Sequence, residues 1–145
     1  MSKRAWVFVG WVFTLNLLWE VAQLPLYAIA QDPRLGRIAY AVLHCAVGDV
    51  LITLFAWLIT GLILRDMQWV SSQPWIGGAI ATALGIAYTI HSEWTNVYVT
   101  GGWGYSPRMP LVRGIGIAPL MQWIVLPVVA LVTLRGRFAK HTVGG

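Results

Sequence analysis

Charge is what this chain has least of. Only 10% of its 145 residues are Asp, Glu, Lys or Arg, 58% are hydrophobic, and the mean hydropathy is +0.69. A water-soluble domain carries about 25% charged residues. The apolar surface must therefore face something other than water, and a lipid bilayer is the natural partner. Acids are scarcer still: five, against ten Lys and Arg, for a formal net charge of +5. Cysteine is nearly absent. The single Cys45 excludes an internal disulfide, a two-cysteine zinc motif and a Cys-x-x-Cys redox pair, and it reads as a small buried hydrophobe. The basic residues lie almost wholly between apolar runs and are not interleaved with exposed aromatics. That suits anionic lipid headgroups and argues against nucleic acid. A chain of this length forms one domain, residues 1–145.

What is present in quantity is apolar sequence. Four runs, about 5–30, 38–64, 75–99 and 115–134, are long enough to cross ~30 Å of hydrocarbon at ~1.5 Å per residue. They predict an all-α fold, an up-down bundle of four transmembrane helices with short loops. A signal peptide is the rival reading of the first run, with Lys3-Arg4 before it and Ala28-Ile29-Ala30 at its end. Its length, and the Asn16, Glu20, Gln23 and Pro25 inside it, argue against cleavage. Gly and Ala in the third run allow close helix approach. Pro119 opens or kinks the fourth run and Pro127 kinks it. Thr100 to Arg113 is the longest loop, rich in Gly, Trp and Pro, and a candidate lid.

With four spans both termini share a side. That side holds Lys3, Arg4, Arg65, Arg135, Arg137 and Lys140; the other holds Arg34, Arg37, Arg108 and Arg113. The excess places both termini in the cytoplasm and the Gly/Trp loop outside. Nine tryptophans suit interface anchoring. Trp6, Trp11, Trp69 and Trp75 mark one expected boundary; Tyr27, Tyr40, Tyr98, Trp103 and Tyr105 mark the other. Trp19, Trp94 and Trp123 lie deeper, where their N–H groups need partners.

Polar residues inside the runs carry the functional signal, because each is costly there. Glu20, His44, Asp49, His91, Glu93, Asn96 and Gln122 all fall roughly 5 to 17 Å below the outer ends of their spans, at ~1.5 Å per residue. They converge in one half of the bundle, beneath the long loop. Asn16, Glu20, Gln23 and Tyr27 form a single polar stripe at i, i+4, i+7 and i+11. His91 and Glu93 diverge by ~200° on a regular helix, so a π-bulge would be needed to aim both at one centre. Three of the five acids lie inside spans, and no Lys or Arg does. A buried carboxylate must be paired, protonated or bound to a cation.

These residues define two candidate sets. Glu20, His44, Asp49, His91 and Glu93 carry the nitrogen and oxygen ligands of a divalent metal site, although no His-x-x-x-His or Glu-x-x-His signature is present. Asn16, Gln23, Trp94, Asn96, Tyr105, Arg108 and Gln122 are the candidate contacts of a small ligand. His44 and His91 at similar depth are the minimum for a bis-histidine haem b. The leading expectation is a membrane protein that binds a metal cation or small ligand. A structural or accessory subunit, whose polar cluster only fixes packing within an oligomer or larger membrane complex, is the alternative. A proton- or cation-coupled transporter is a further one. No nucleophile–base pair stands at a recognisable spacing, so enzyme status stays open.

The strings Trp19-Glu20, His44-Cys45-Ala-Val-Gly48-Asp49, Ser92-Glu93-Trp94-Thr-Asn96, Tyr105-Ser106-Pro-Arg-Met109-Pro110 and Gln122-Trp123 together resemble a widespread group of small bacterial four-span membrane proteins. The resemblance covers most of the chain. It implies a bacterial inner-membrane protein and carries no mechanism.

Overall fold

The structure is a computed structural model describing residues 3–139, and side chains from residue 6 onward except 131 and the end of the last helix. The fold is all-α. Helix α1 spans Lys3–Gln23 and α2 spans Leu35–Leu64. A single helical turn, α3, covers Trp69–Ser72, followed by α4 at Pro74–Trp94 and α5 at Ile117–Ala139. The four long helices pack in a closed cycle, α1 on α2, α2 on α4, α4 on α5 and α5 on α1. Two of them, over Trp6–Leu26 and Leu35–Leu64, are long and apolar enough to cross a membrane; Ile117–Ala130 is a shorter apolar stretch.

The first expected run does not continue as one helix to residue 30. Pro25 has no N–H to extend α1, and the chain passes through two 3-10 turns, Leu24–Leu26 and Ala28–Gln31. Helix α2 ends on Arg65, which adopts the left-handed conformation (φ 52°), while Asp66 N–H bonds back to Gly61 O at 2.9 Å. That is a Schellman-type stop on a non-glycine residue. Pro74 starts α4 at a position whose N–H needs no partner. The last turn of the third run is not α: Thr95–Thr100 form a π-helix closed by Gly101 at φ 66°. Beyond it, Leu111–Val112 (β1) pairs antiparallel with Ile115–Gly116 (β2). Arg113 and Gly114, both at positive φ, make the tight turn a two-residue hairpin demands.

The interior is unusually polar and the surface unusually apolar. Asn16, Glu20, Gln23, Glu93 and Gln122 are all buried, while Leu18, Leu51 and Leu62 are each at least 60% exposed. Two indoles lie flat on glycines. Trp69 covers Gly77 and Trp123 covers Gly85, each so closely that a Cβ would collide with the ring. Trp69 is therefore buried rather than a boundary residue, and its Nε1 donates to Trp57 O at 3.2 Å.

Candidate functional site

Two hydrogen-bonded groups of side chains meet around one cavity. The first centres on Gln122 of α5. Its Nε2 donates to Asn16 Oδ1 on α1 at 2.8 Å and to Asp49 Oδ2 on α2 at 2.7 Å. Asn16 in turn donates to Val12 O, so its amide is spent at both ends. The carboxyl groups of Glu20 and Asp49 face one another within hydrogen-bonding reach. Gln23 Nε2 donates to Glu20 Oε1 at 2.7 Å, and Trp19 Nε1 donates to Gln23 Oε1 at 3.2 Å. The helical stripe of α1 thus becomes a chain of bonds reaching across three helices.

The second group centres on Glu93 of α4. Its Oε1 accepts from Tyr27 Oη at 3.1 Å; its Oε2 accepts from Tyr105 Oη at 2.6 Å and Trp103 Nε1 at 3.4 Å. Tyr105 Oη also accepts from Gly116 N–H at 3.0 Å, which ties the hairpin into the group. The Tyr105 hydroxyl, outside the helices, is pushed well up by burial and by its bond to Glu93. Trp103 and Tyr105 come from the loop, which is pinned to the chain after α1, where Tyr27 lies. Ala28 N–H bonds Gly104 O, and Ser106 bonds Leu26 O through its N–H and Pro25 O through its hydroxyl. Tyr27 and Tyr105 form a β-bridge with their rings 5.7 Å apart.

Between α2 and this assembly lies a cavity of ≈ 970 Å³. Glu20, Asp49 and Glu93 all line it, with Gln23, Asn96 and Gln122. Tyr27, Tyr40, Tyr88, Trp103 and Trp123 supply aromatic wall, and Gly101–Gly104 form part of its rim. Among the described residues the one Lys or Arg lining it is Arg37, whose guanidinium pairs with Asp32 Oδ2 at 3.0 Å. A second, apolar cavity of ≈ 80 Å³ lies on the other side of Gln122 and Trp123, which line both.

The expected metal set is only partly assembled. Glu20 and Asp49 meet, and Glu93 shares their cavity. His44 lines the cavity but is exposed, its ring stacked on Tyr40 at 5.6 Å. His91 is exposed on α4 and stands off the cavity lining. The π-helix that might have turned it inward begins only at Thr95, beyond both His91 and Glu93. Among the described residues no three His, Cys, Asp or Glu side chains group closely enough to hold a metal ion. Nor do the two histidines flank a common pocket, as a bis-histidine haem b requires.

Of the expected ligand contacts, Gln23, Asn96 and Gln122 line the large cavity and Asn16 lines the small one. Asn96 is tied down by its own helix, donating to Ser92 O at 2.9 Å. Tyr105 acts through Glu93. Trp94 instead lies exposed against Tyr98, and Arg108 is exposed, with only its backbone N–H on Ser106 Oγ. Tyr27 and Trp103, read from sequence as boundary aromatics, are two of the three Glu93 donors. The stripe spacing that puts Tyr27 above Glu20 was the signal for the first; nothing local announced the second. The chain matches no protein-family model, no curated protein and no solved structure.

Proposed function

We propose that this chain is a multi-pass bacterial inner-membrane protein, four spans with both termini cytoplasmic, that binds a cation or small cationic ligand in the large cavity. One observation carries the reading. Glu20, Asp49 and Glu93 line a single cavity, and their hydrogen-bond donors, Gln23, Gln122, two tyrosines and an indole, are all uncharged. Two facing carboxyls can stay together only by sharing a proton or a cation. A cavity toward the upper end of the ~300–1,000 Å³ range that encloses small ligands supplies the space. The apolar exterior and polar interior support membrane embedding, since lipid rewards that inversion and water does not.

The donor set favours an ammonium group or a monovalent ion over a tightly held transition metal. Thermal stability of detergent-purified protein, with and without methylammonium or divalent ions, tests the reading. Wild type should gain stability with the cation, and Glu20→Gln and Asp49→Asn should lose that gain while still folding. No cation-dependent stabilisation of wild type by any ion would sink it. The alternative, a structural subunit, is favoured by Gln122, whose two bonds clamp α5 to α1 and α2 as packing alone would use them. On that reading Glu20→Gln is nearly silent. A proton- or cation-coupled transporter is a further reading, favoured by the cavity's reach toward mid-span.

A further inference from the structure

The large cavity has a pinned loop over part of its rim and exposed side chains along one flank. The cover is the Gly101–Gly104 stretch, held to the chain after α1 by Ala28 N–H to Gly104 O at 2.9 Å and Ser106 N–H to Leu26 O at 2.9 Å. Both backbone bonds fall at the Gly104 end, so that end of the cover is fixed to the chain after α1. The side is different. Tyr40, His44, Gly48 and Ile52 line the cavity at i, i+4, i+8 and i+12, so one stripe of α2 about 18 Å long borders it. Of these, Tyr40 is 69% exposed and His44 is exposed too. Across from them Tyr88 of α4 lines the cavity and is 50% exposed. Side chains that belong both to the cavity wall and to the outer surface mark an opening. Here it runs down the flank of α2, a helix apolar and long enough to cross a membrane. On the four-span reading, the neighbour at the depth of Tyr88 is acyl chain.

We propose that the cavity takes a lipid-soluble amine, an amphiphile with an ammonium head and an apolar body, and that it enters sideways from the outer leaflet. This rests on the cation-binding reading above and specifies its ligand. The head meets carboxylates and the faces of Tyr27, Trp103 and Trp123, which suit a cation electrostatically. The body lies along Gly48, Ile52 and Tyr88 and passes out through the side opening. Transfer of the body from bilayer to cavity is between two apolar media and favours neither. Selection therefore falls on the head, and a neutral amphiphile of equal length should bind poorly.

Gly48 provides a variant that blocks the space without touching a carboxylate. A Cβ there meets nothing within 4 Å, so Gly48→Phe fills the cavity while α2 gains a better helix former. The experiment measures thermal stability of the detergent-solubilised protein with dodecylammonium, dodecanol or methylammonium. Dodecylammonium should raise the melting temperature of wild type at a concentration at least ~100-fold below that at which methylammonium does, because its chain concentrates it in the apolar phase. Dodecanol should give no rise. Gly48→Phe and Glu20→Gln should keep the wild-type melting temperature without additive and lose the dodecylammonium shift. Equal potency of methylammonium and dodecylammonium overturns the amphiphile proposal and leaves the cation site standing. An equal shift from dodecanol, or a full shift in Gly48→Phe, also overturns it. No shift from any of the three overturns both readings.

Discussion

Glu93 accepts three hydrogen bonds, and they are not equivalent. Tyr105 makes the shortest, 2.6 Å, and its oxygen also receives Gly116 N–H. Tyr27 makes one at 3.1 Å and holds nothing else. Tyr105→Phe should therefore destabilise by about 1–3 kcal/mol, since it leaves a carboxylate oxygen and a backbone N–H short of partners. Tyr27→Phe should cost nearer the ~0.6 kcal/mol average of interhelical bonds in membranes. Reversible unfolding in mixed micelles checks the ranking. Gly85→Ala should cost about 1–3 kcal/mol by forcing Trp123 off its seat. Gly36→Ala, where a Cβ meets nothing within 4 Å, should be neutral in the same assay. In the connection between α1 and α2, the side-chain and backbone bonds from Arg34, with Arg37 beside them, hold the Asp32 carboxyl below its usual range. A depressed carboxyl lends stability above its unfolded value and loses it as pH falls through the folded one. Carboxyl NMR should thus show Asp32 titrating below ~3.9, the pH at which a free Asp titrates. The buried acids themselves were legible in the sequence because an acid in an apolar run is hard to overlook. The outward turn of His91 was legible too, because a residue two positions from a buried Glu93 points the other way on a regular helix, and the π-helix begins only at Thr95.

Among the elements, α5 depends on one residue to engage its neighbours' acids. Gln122→Leu removes both donors that reach Asn16 and Asp49 and leaves the buried Asn16 oxygen and the half-buried Asp49 oxygen short of a partner. A loss of about 1–3 kcal/mol is expected. Gln122→Glu should be worse than Gln122→Leu, since it sets a third carboxyl against Glu20 and Asp49; the same unfolding assay in both variants decides. The four long helices were readable from apolar run length alone. Their ends were less so. Pro25 stands inside the first run, but apolar length alone does not show that the helix stops at Gln23 and the chain continues as 3-10 turns. The π-helix at Thr95–Thr100 and the hairpin at 111–116 have no hydrophobic period to announce them. The hairpin is tied to the Glu93 group by Gly116 N–H on Tyr105 Oη.

For the molecule as a whole, the helical order puts the short α3 connection and the pinned loop at opposite ends of α4. Single cysteines at Ser72 and Gly102, both exposed, should label from opposite sides of the membrane in a Cys45→Ala background. Labelling of both from one side would end the four-span topology. Orientation is a separate question, and the charge count that favours cytoplasmic termini draws on Lys140, which lies outside the described residues. The pinned loop also bears on how the protein is made. The Glu93 partners lie 66 residues upstream, at Tyr27, and 10 and 12 residues downstream, at Trp103 and Tyr105. At ~5–20 residues per second, α4 is synthesised through Glu93 roughly 0.5–2.5 s before Trp103 and Tyr105 are added. For that interval its acid has one tyrosine to turn to. Translation order thus leaves Glu93 of α4 short of two donors until the chain has been made through Tyr105.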